Sequence, residues 1–170
     1  MRALFAVVLA TLTIAPASAA ELTLGVQIPA LKVAEYHRPY VASWIEGEGQ
    51  AHAANLVVWY QTRDSKEPGT KWLPELRQWW RRSGRNLKMP VDGISGATRP
   101  AGVHTLAFAG DKPPLAGLAP GQYTLVVEAV REVGGRELLR IPFQWPARER
   151  QHLQVQGEHE LGTVTLDLTP

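Results

Sequence analysis

Past residue 20 the chain is written almost entirely in short runs of Val, Tyr, Trp, Thr and Leu, most of them closed by turn residues rich in Gly or Pro. Runs of that length and composition suit a pleated, half-buried surface and are too short for packed helices. They predict strands over Leu22 to Ile28, Tyr40 to Glu46, Leu56 to Gln61, Gly102 to Ala109, Gln122 to Arg131, Glu137 to Trp145, His152 to Gln156 and Gly162 to Leu168. Leu139, Ile141, Phe143 and Trp145 alternate with Leu138, Arg140 and Gln144, the period of a strand with one wet face. Glu46-Gly47-Glu48-Gly49 and Leu118-Ala119-Pro120-Gly121 supply turns, and Gly134-Gly135 between Val130 and Leu138 is a hairpin signal. The fold class that follows is all-β, an immunoglobulin-like β-sandwich.

One stretch departs from the strand period. Between Thr70 and Ser83, Trp72, Leu73, Leu76, Trp79 and Trp80 recur at helical spacing, with Arg77, Arg81 and Arg82 towards the other side. Thr70 can cap its start, Pro74 is tolerated in a first turn, and Gly84 can end it in the left-handed conformation. The sandwich is therefore expected to carry one short inserted helix, with Trp72 and Trp79 clamping it to a sheet.

The beginning of the chain reads as an export signal. Met1 and Arg2 give a positive start, the run from Ala3 to Ala15 is apolar, and Ala17-Ser18-Ala19 offers the small residues that signal peptidase requires. Residues 1–20 are expected to be removed and residues 21–170 to form a single sandwich domain in the periplasm. The apolar run is shorter than the roughly 20 residues of a membrane-spanning helix, and no later run is longer, so the mature chain is not expected to span a membrane. The sequence has no cysteine. That removes disulfides, thiolate zinc sites, c-type haem attachment, thiol catalysis and a lipid-modified cysteine together. A formal net charge of +2 conceals a cluster of Arg77, Arg81, Arg82, Arg85, Lys88 and Arg99. In this compartment such a patch does not point to nucleic acid.

Chemistry enters with Asp92-Gly93-Ile94-Ser95-Gly96-Ala97-Thr98, between the helical stretch and the next strand. Asp-Gly and Ser-Gly pairs make turns, so the segment is expected to be a loop. Gly96 and Ala97 leave the backbone beside the Thr98 hydroxyl thin enough to enter another enzyme's active site. Ser95 can hydrogen-bond within the turn, and Asp92 can hold the loop or help to position magnesium.

In every position this segment resembles the flavinylation motif of exported flavin proteins. The resemblance implies that FMN is attached covalently, through its phosphate, to Thr98. It also implies an FAD-dependent FMN transferase that moves the FMN phosphate from FAD to the threonine with magnesium, releasing AMP; magnesium serves only that attachment. A second resemblance covers nearly the whole chain after the signal. It rests on Tyr40-Val41-Ala42-Ser43-Trp44-Ile45-Glu46, Lys71-Trp72-Leu73-Pro74-Glu75-Leu76, Asp92 through Gly102, Gly121-Gln122-Tyr123 and Glu128-Ala129-Val130-Arg131-Glu132. These segments are similar to a family of predicted periplasmic proteins catalogued as domain of unknown function 2271. Its members accompany PepSY-type membrane proteins and the FMN transferase, which implies extracytosolic electron transfer with a membrane partner, often tied to iron acquisition. The stretch Gly102 to Tyr123 also resembles the immunoglobulin-like part of flagellar hook-cap assembly proteins.

The expected flavin site thus comprises Thr98 as attachment point, with Asp92, Gly93, Ser95, Gly96 and Ala97 around it. Trp80 is the aromatic side chain expected to cover the ring. Arg99 is the expected charge beside the cofactor, with Arg85 and Lys88 as further candidates. Trp44, Trp59 and Trp145 read as core. The histidines His37, His52, His104, His152 and His159 show no metal spacing, and neither a Ser-His-Asp order nor a phosphate-cradling glycine loop is present. The chain is therefore expected to be an electron carrier rather than an enzyme. A different class stays open, a non-redox periplasmic binding or assembly module that grips an exported partner through its loops and basic patch, as does a haem-handling accessory.

Overall fold

The computed structural model describes residues 20–62 and 69–170, so the proposed signal peptide lies almost wholly outside the described residues. Among the described residues, nine strands form two sheets. They are β1 (Glu21–Ile28), β2 (Tyr40–Glu46), β3 (His52–Tyr60), β4 (Ser95–Ala97), β5 (Gly102–Ala109), β6 (Gly121–Val130), β7 (Arg136–Trp145), β8 (Gln151–Gln156) and β9 (Thr163–Thr169). The smaller sheet runs β5-β1-β9-β8 and the larger β4-β3-β2-β6-β7. All pairs are antiparallel except β3 with β4. The expected all-β sandwich of immunoglobulin-like architecture is the fold.

Alternation explains the interior. Leu22, Leu24, Val26 and Ile28 of β1 and Val164, Leu166 and Leu168 of β9 meet Val41, Ile45, Leu125, Val127, Ile141 and Phe143 of the larger sheet. Trp59 and Trp145 belong to the same core. The outward side of the larger sheet is also covered, which is why β2 is buried along nearly its whole length and does not alternate. Ala42, Trp44, Val58, Tyr60 and Val126 form a second apolar cluster with Leu73, Leu76, Trp79 and Ile94 of the segment that precedes and enters β4.

That covering segment differs from the single helix expected over Thr70 to Ser83. It is a 3₁₀ stretch, Gly69–Glu75, followed by a short helix α1, Arg77–Arg82, with a non-helical Leu76 between them. Pro74 denies a backbone donor to the first piece. Thr70 is not the cap of α1: the Glu128 carboxylate of β6 accepts from the backbone N–H groups of Gln78 and Trp79 and pairs with Arg136 at 2.8 Å. Gly84 does not end α1 left-handed; it opens a further 3₁₀ turn and lies against the Trp79 ring. Glu46, also buried, accepts from Trp44 Nε1 and from Arg140. Each buried carboxylate under the insertion is thus matched by hydrogen bonds and a cation, as buried charge requires.

A third carboxylate holds the opposite margin. Glu137 accepts from four consecutive backbone N–H groups, those of Glu158, His159, Glu160 and Leu161, at 2.6 to 3.1 Å. Partial burial by itself raises the Glu137 carboxyl, but the four donors outweigh it, and the group ionises below the ordinary glutamate value. A depressed folded value makes this contribution complete above the unfolded value and lost as pH falls through the folded one. Glu137→Ala should therefore cost roughly 1–3 kcal/mol at neutral pH. In urea denaturation, the gap between variant and wild type should close as the medium is made acidic.

Candidate functional site

The seven-residue motif is a turn followed by an edge strand, where a loop was expected. Ile94 N–H reaches Val91 O at 3.4 Å across a tight turn whose left-handed residue is Gly93, φ +81°. Ser95 Oγ accepts from Val91 N–H at 2.8 Å, and Ser95 N–H donates to Val91 O at 3.0 Å. Ser95 therefore fastens the turn, the role its chemistry predicted. Asp92 stands exposed at the tip.

From there the chain zips in parallel onto β3. Ser95 lies opposite Val58, Gly96 opposite Trp59 and Ala97 opposite Tyr60, with Val58 N–H to Ile94 O at 2.7 Å and Thr98 N–H to Tyr60 O at 3.1 Å closing the two ends. A Cβ on Gly96 would lie 3.1 Å from Trp59 Cδ1, so this glycine also serves close packing within the fold. The main chain of Thr98 is thereby fixed to the sheet while its side chain stays partly exposed.

Thr98 lines an open cleft of about 690 Å³ at one end of the larger sheet. The cleft lies where β2 begins and β3 and β6 end, beside the 3₁₀ stretch and the β6–β7 turn. Tyr36, Tyr40, Trp72 and Val133 give it apolar surface, Arg38 and Arg77 give it positive charge, and Glu75 and Glu132 give it negative charge. Burial pushes the Tyr40 phenol above its ordinary value, so it stays a neutral donor, here to Gly69 O. Arg38 and Arg77 have no carboxylate partner among the described residues, so both can meet a ligand's negative charge. Arg131, by contrast, is held in a buried pair with Glu160, its Nε at 2.8 Å from Oε2. The turn beyond it is strained, because the left-handed residue there is Val133, φ +52°, and neither Gly134 nor Gly135.

The other residues expected at the site are dispersed. The Arg99 guanidinium lies over the Trp59 indole, 5.5 Å from its centroid, on a ring that His104 also meets edge-on. Trp80 is half-buried against the outer cluster, 6.2 Å from Trp79, and is not among the side chains lining the cleft. Trp79 is buried and clamps the insertion as expected, but Trp72 is 45% exposed and faces the cleft. Arg38, Arg77, Tyr36 and Tyr40 were not singled out as cleft residues, since only the topology brings the ends of β2, β3 and β6 beside Thr98. Among the described residues no group of three or more His, Asp or Glu side chains is placed to hold a metal ion, and no helix is long and apolar enough to cross a membrane.

A family model described as predicted periplasmic protein, domain of unknown function 2271, matches residues 21–163. The chain belongs to that family. The match runs from the first strand into the last and so includes both sheets, the insertion, the motif and the cleft. No curated protein and no solved structure matches the chain.

The Ser95 contact gives a direct test of how the motif is held. Ser95→Ala removes the acceptor for Val91 N–H and should cost about 1 kcal/mol. Hydrogen exchange at Val91 and Ile94 should speed up, while β1 and β9 keep their protection.

Proposed function

We propose that this chain is an exported flavin carrier, bearing FMN on Thr98 and passing electrons to or from a membrane partner of the PepSY type. The observation that carries the reading is the position of Thr98. The last residue of a complete motif has its backbone fixed to a sheet and its side chain partly exposed at a cleft. That cleft falls within the roughly 300–1,000 Å³ typical of small-molecule sites.

The residues present fit the group. In attachment, the Thr98 Oγ1 bonds to the FMN phosphorus of FAD, the bond from that phosphorus to the bridging oxygen breaks, and AMP leaves. The hydroxyl proton passes to the transferase, which also supplies the magnesium. Ser95 and the β3–β4 pairing hold Thr98 in a single presentation, so little freedom is lost on docking. Arg38 and Arg77 line the same cleft, so they are the cations offered to a phosphoester charge or to a reduced ring, against the opposing charges of Glu75 and Glu132. Flavin supplies the one- and two-electron chemistry when bound. Residues 1–20 direct export and are removed by signal peptidase, leaving the carrier outside the cytoplasm, where a covalent bond prevents loss of the redox group.

Coexpression with an FMN transferase tests this reading. The wild-type band should fluoresce as flavin in a denaturing gel and the Thr98→Ala band should be dark. A dark wild-type band beside an active transferase would contradict it.

A further inference from the structure

Five large hydrophobic side chains stand exposed among the described residues: Val33, Tyr36, Trp72, Val103 and Val133. Single exposed apolar residues are ordinary. Three of these five, however, line the same cleft as Thr98: Tyr36 at 39% exposure, Trp72 at 45% and Val133 at 76%. The fold hides its other indoles, with Trp44, Trp59, Trp79 and Trp145 buried and Trp80 half-buried. Trp72 is therefore the exception, and a costly one to leave facing water, because an indole is among the largest apolar surfaces a side chain offers. Its neighbours Leu73 and Leu76 are buried, so the 3₁₀ stretch is seated on the sheet while this one aromatic residue faces the cleft.

We infer that Tyr36 and Trp72 are the ring subsite of this cleft, and that the isoalloxazine of a flavin held at Thr98 stacks on them instead of lying in solvent. The inference rests on the flavin reading and adds where the ring goes. Flat aromatic faces suit a planar, electron-poor heterocycle. Lys71 Nζ lies over one face of the Trp72 ring, 4.8 Å from its centroid, so the flavin stacks on the opposite face. Trp80, the side chain that sequence spacing favoured, has no part in this subsite.

Contact with indole or phenol quenches flavin emission by electron transfer, so brightness per attached flavin reports the stack. Mass spectrometry of the Thr98 peptide reports attachment independently. With wild type, Trp72→Ala, Tyr36→Ala, Trp72→Phe and Trp80→Phe each coexpressed with the transferase, occupancy at Thr98 should be equal. Native wild-type protein should be several-fold dimmer than the same sample unfolded in guanidinium. Trp72→Ala and Tyr36→Ala should each regain at least half of that lost emission, Trp72→Phe less, and Trp80→Phe none. Two results at full occupancy would overturn the inference alone: native wild type as bright as unfolded, or quenching relieved by Trp80→Phe and not by Trp72→Ala. An unmodified Thr98 peptide would overturn the flavin reading and the inference together. Tyr36 and Trp72 are exposed, so their replacement should leave the far-ultraviolet circular dichroism unchanged, which confirms that a bright variant is a folded one.

Discussion

The structure depends on one carboxylate placed where a strand has no ordinary use for it. Glu128 points away from the sandwich core, has no exposed surface, and accepts from the first amides of a short helix as well as from Arg136. An ionised group so buried is tolerable only when its hydrogen bonds are complete. The sheet and the inserted segment are therefore fixed to one another by direction as well as by apolar contact. Trp79, buried beside that pin and bonded through Nε1 to Asn55, adds the bulk of the packing. Judged by what truncation of buried aromatic residues costs, such a side chain is worth roughly 3–5 kcal/mol.

The consequences run along the chain towards the motif. With α1 seated, the segment after it crosses the sheet and reaches the open edge of β3, where Ile94 joins the outer cluster and Ser95–Ala97 pair in parallel. A three-residue strand on an edge has little stability of its own. Here it is closed at one end by the Ser95-fastened turn and at the other by the Thr98 amide. The same seating brings the 3₁₀ stretch beside the starts and ends of β2, β3 and β6, which creates the cleft. Sandwich, pin, edge strand and cleft are thus successive results of covering the outer face of one sheet.

How much of this the sequence disclosed follows from the range of each interaction. Strands with one wet face announce themselves by alternation, and β5 and β7 fall where the pattern puts them, while β2, covered on both faces, shows instead as a continuous apolar run bounded by Pro39 and Gly47. β3 begins at His52, ahead of the expected Leu56, and its first residues lack a simple period because its pairing with β2 shifts register between Ser43 and Trp44 and again between Ile45 and Glu46. The helical spacing of Trp72, Leu73, Leu76 and Trp79 correctly revealed an insertion, yet not its division at Leu76, which is set by Pro74 within and by Glu128 across the sheet. Glu128 could not be paired with α1 from sequence, since the two lie 49 residues apart. At the site, the motif was fully legible as residues, including the turn bond of Ser95. Its strand character was not, because Gly and Ala carry no strand preference and the pairing partner is remote. Trp80 looked closer to Thr98 than Trp72 does, but on a short helix seated on a sheet each position faces a different way, and only the seating decides which indole meets the cleft.

The proposed role as a flavin carrier rests on a sandwich whose outer sheet face is covered by an insertion and whose Thr98, just past an edge strand, is partly exposed at an aromatic cleft with charges of both signs. Membership of a family of predicted periplasmic proteins is consistent with such work outside the cytoplasm. The most direct measurement is the mass of the peptide spanning Asp92 to Arg99, taken from protein purified from its own host. The account predicts a peptide heavier by FMN less one water, with the added group released from Thr98 on fragmentation. An unmodified peptide as the sole species would contradict it.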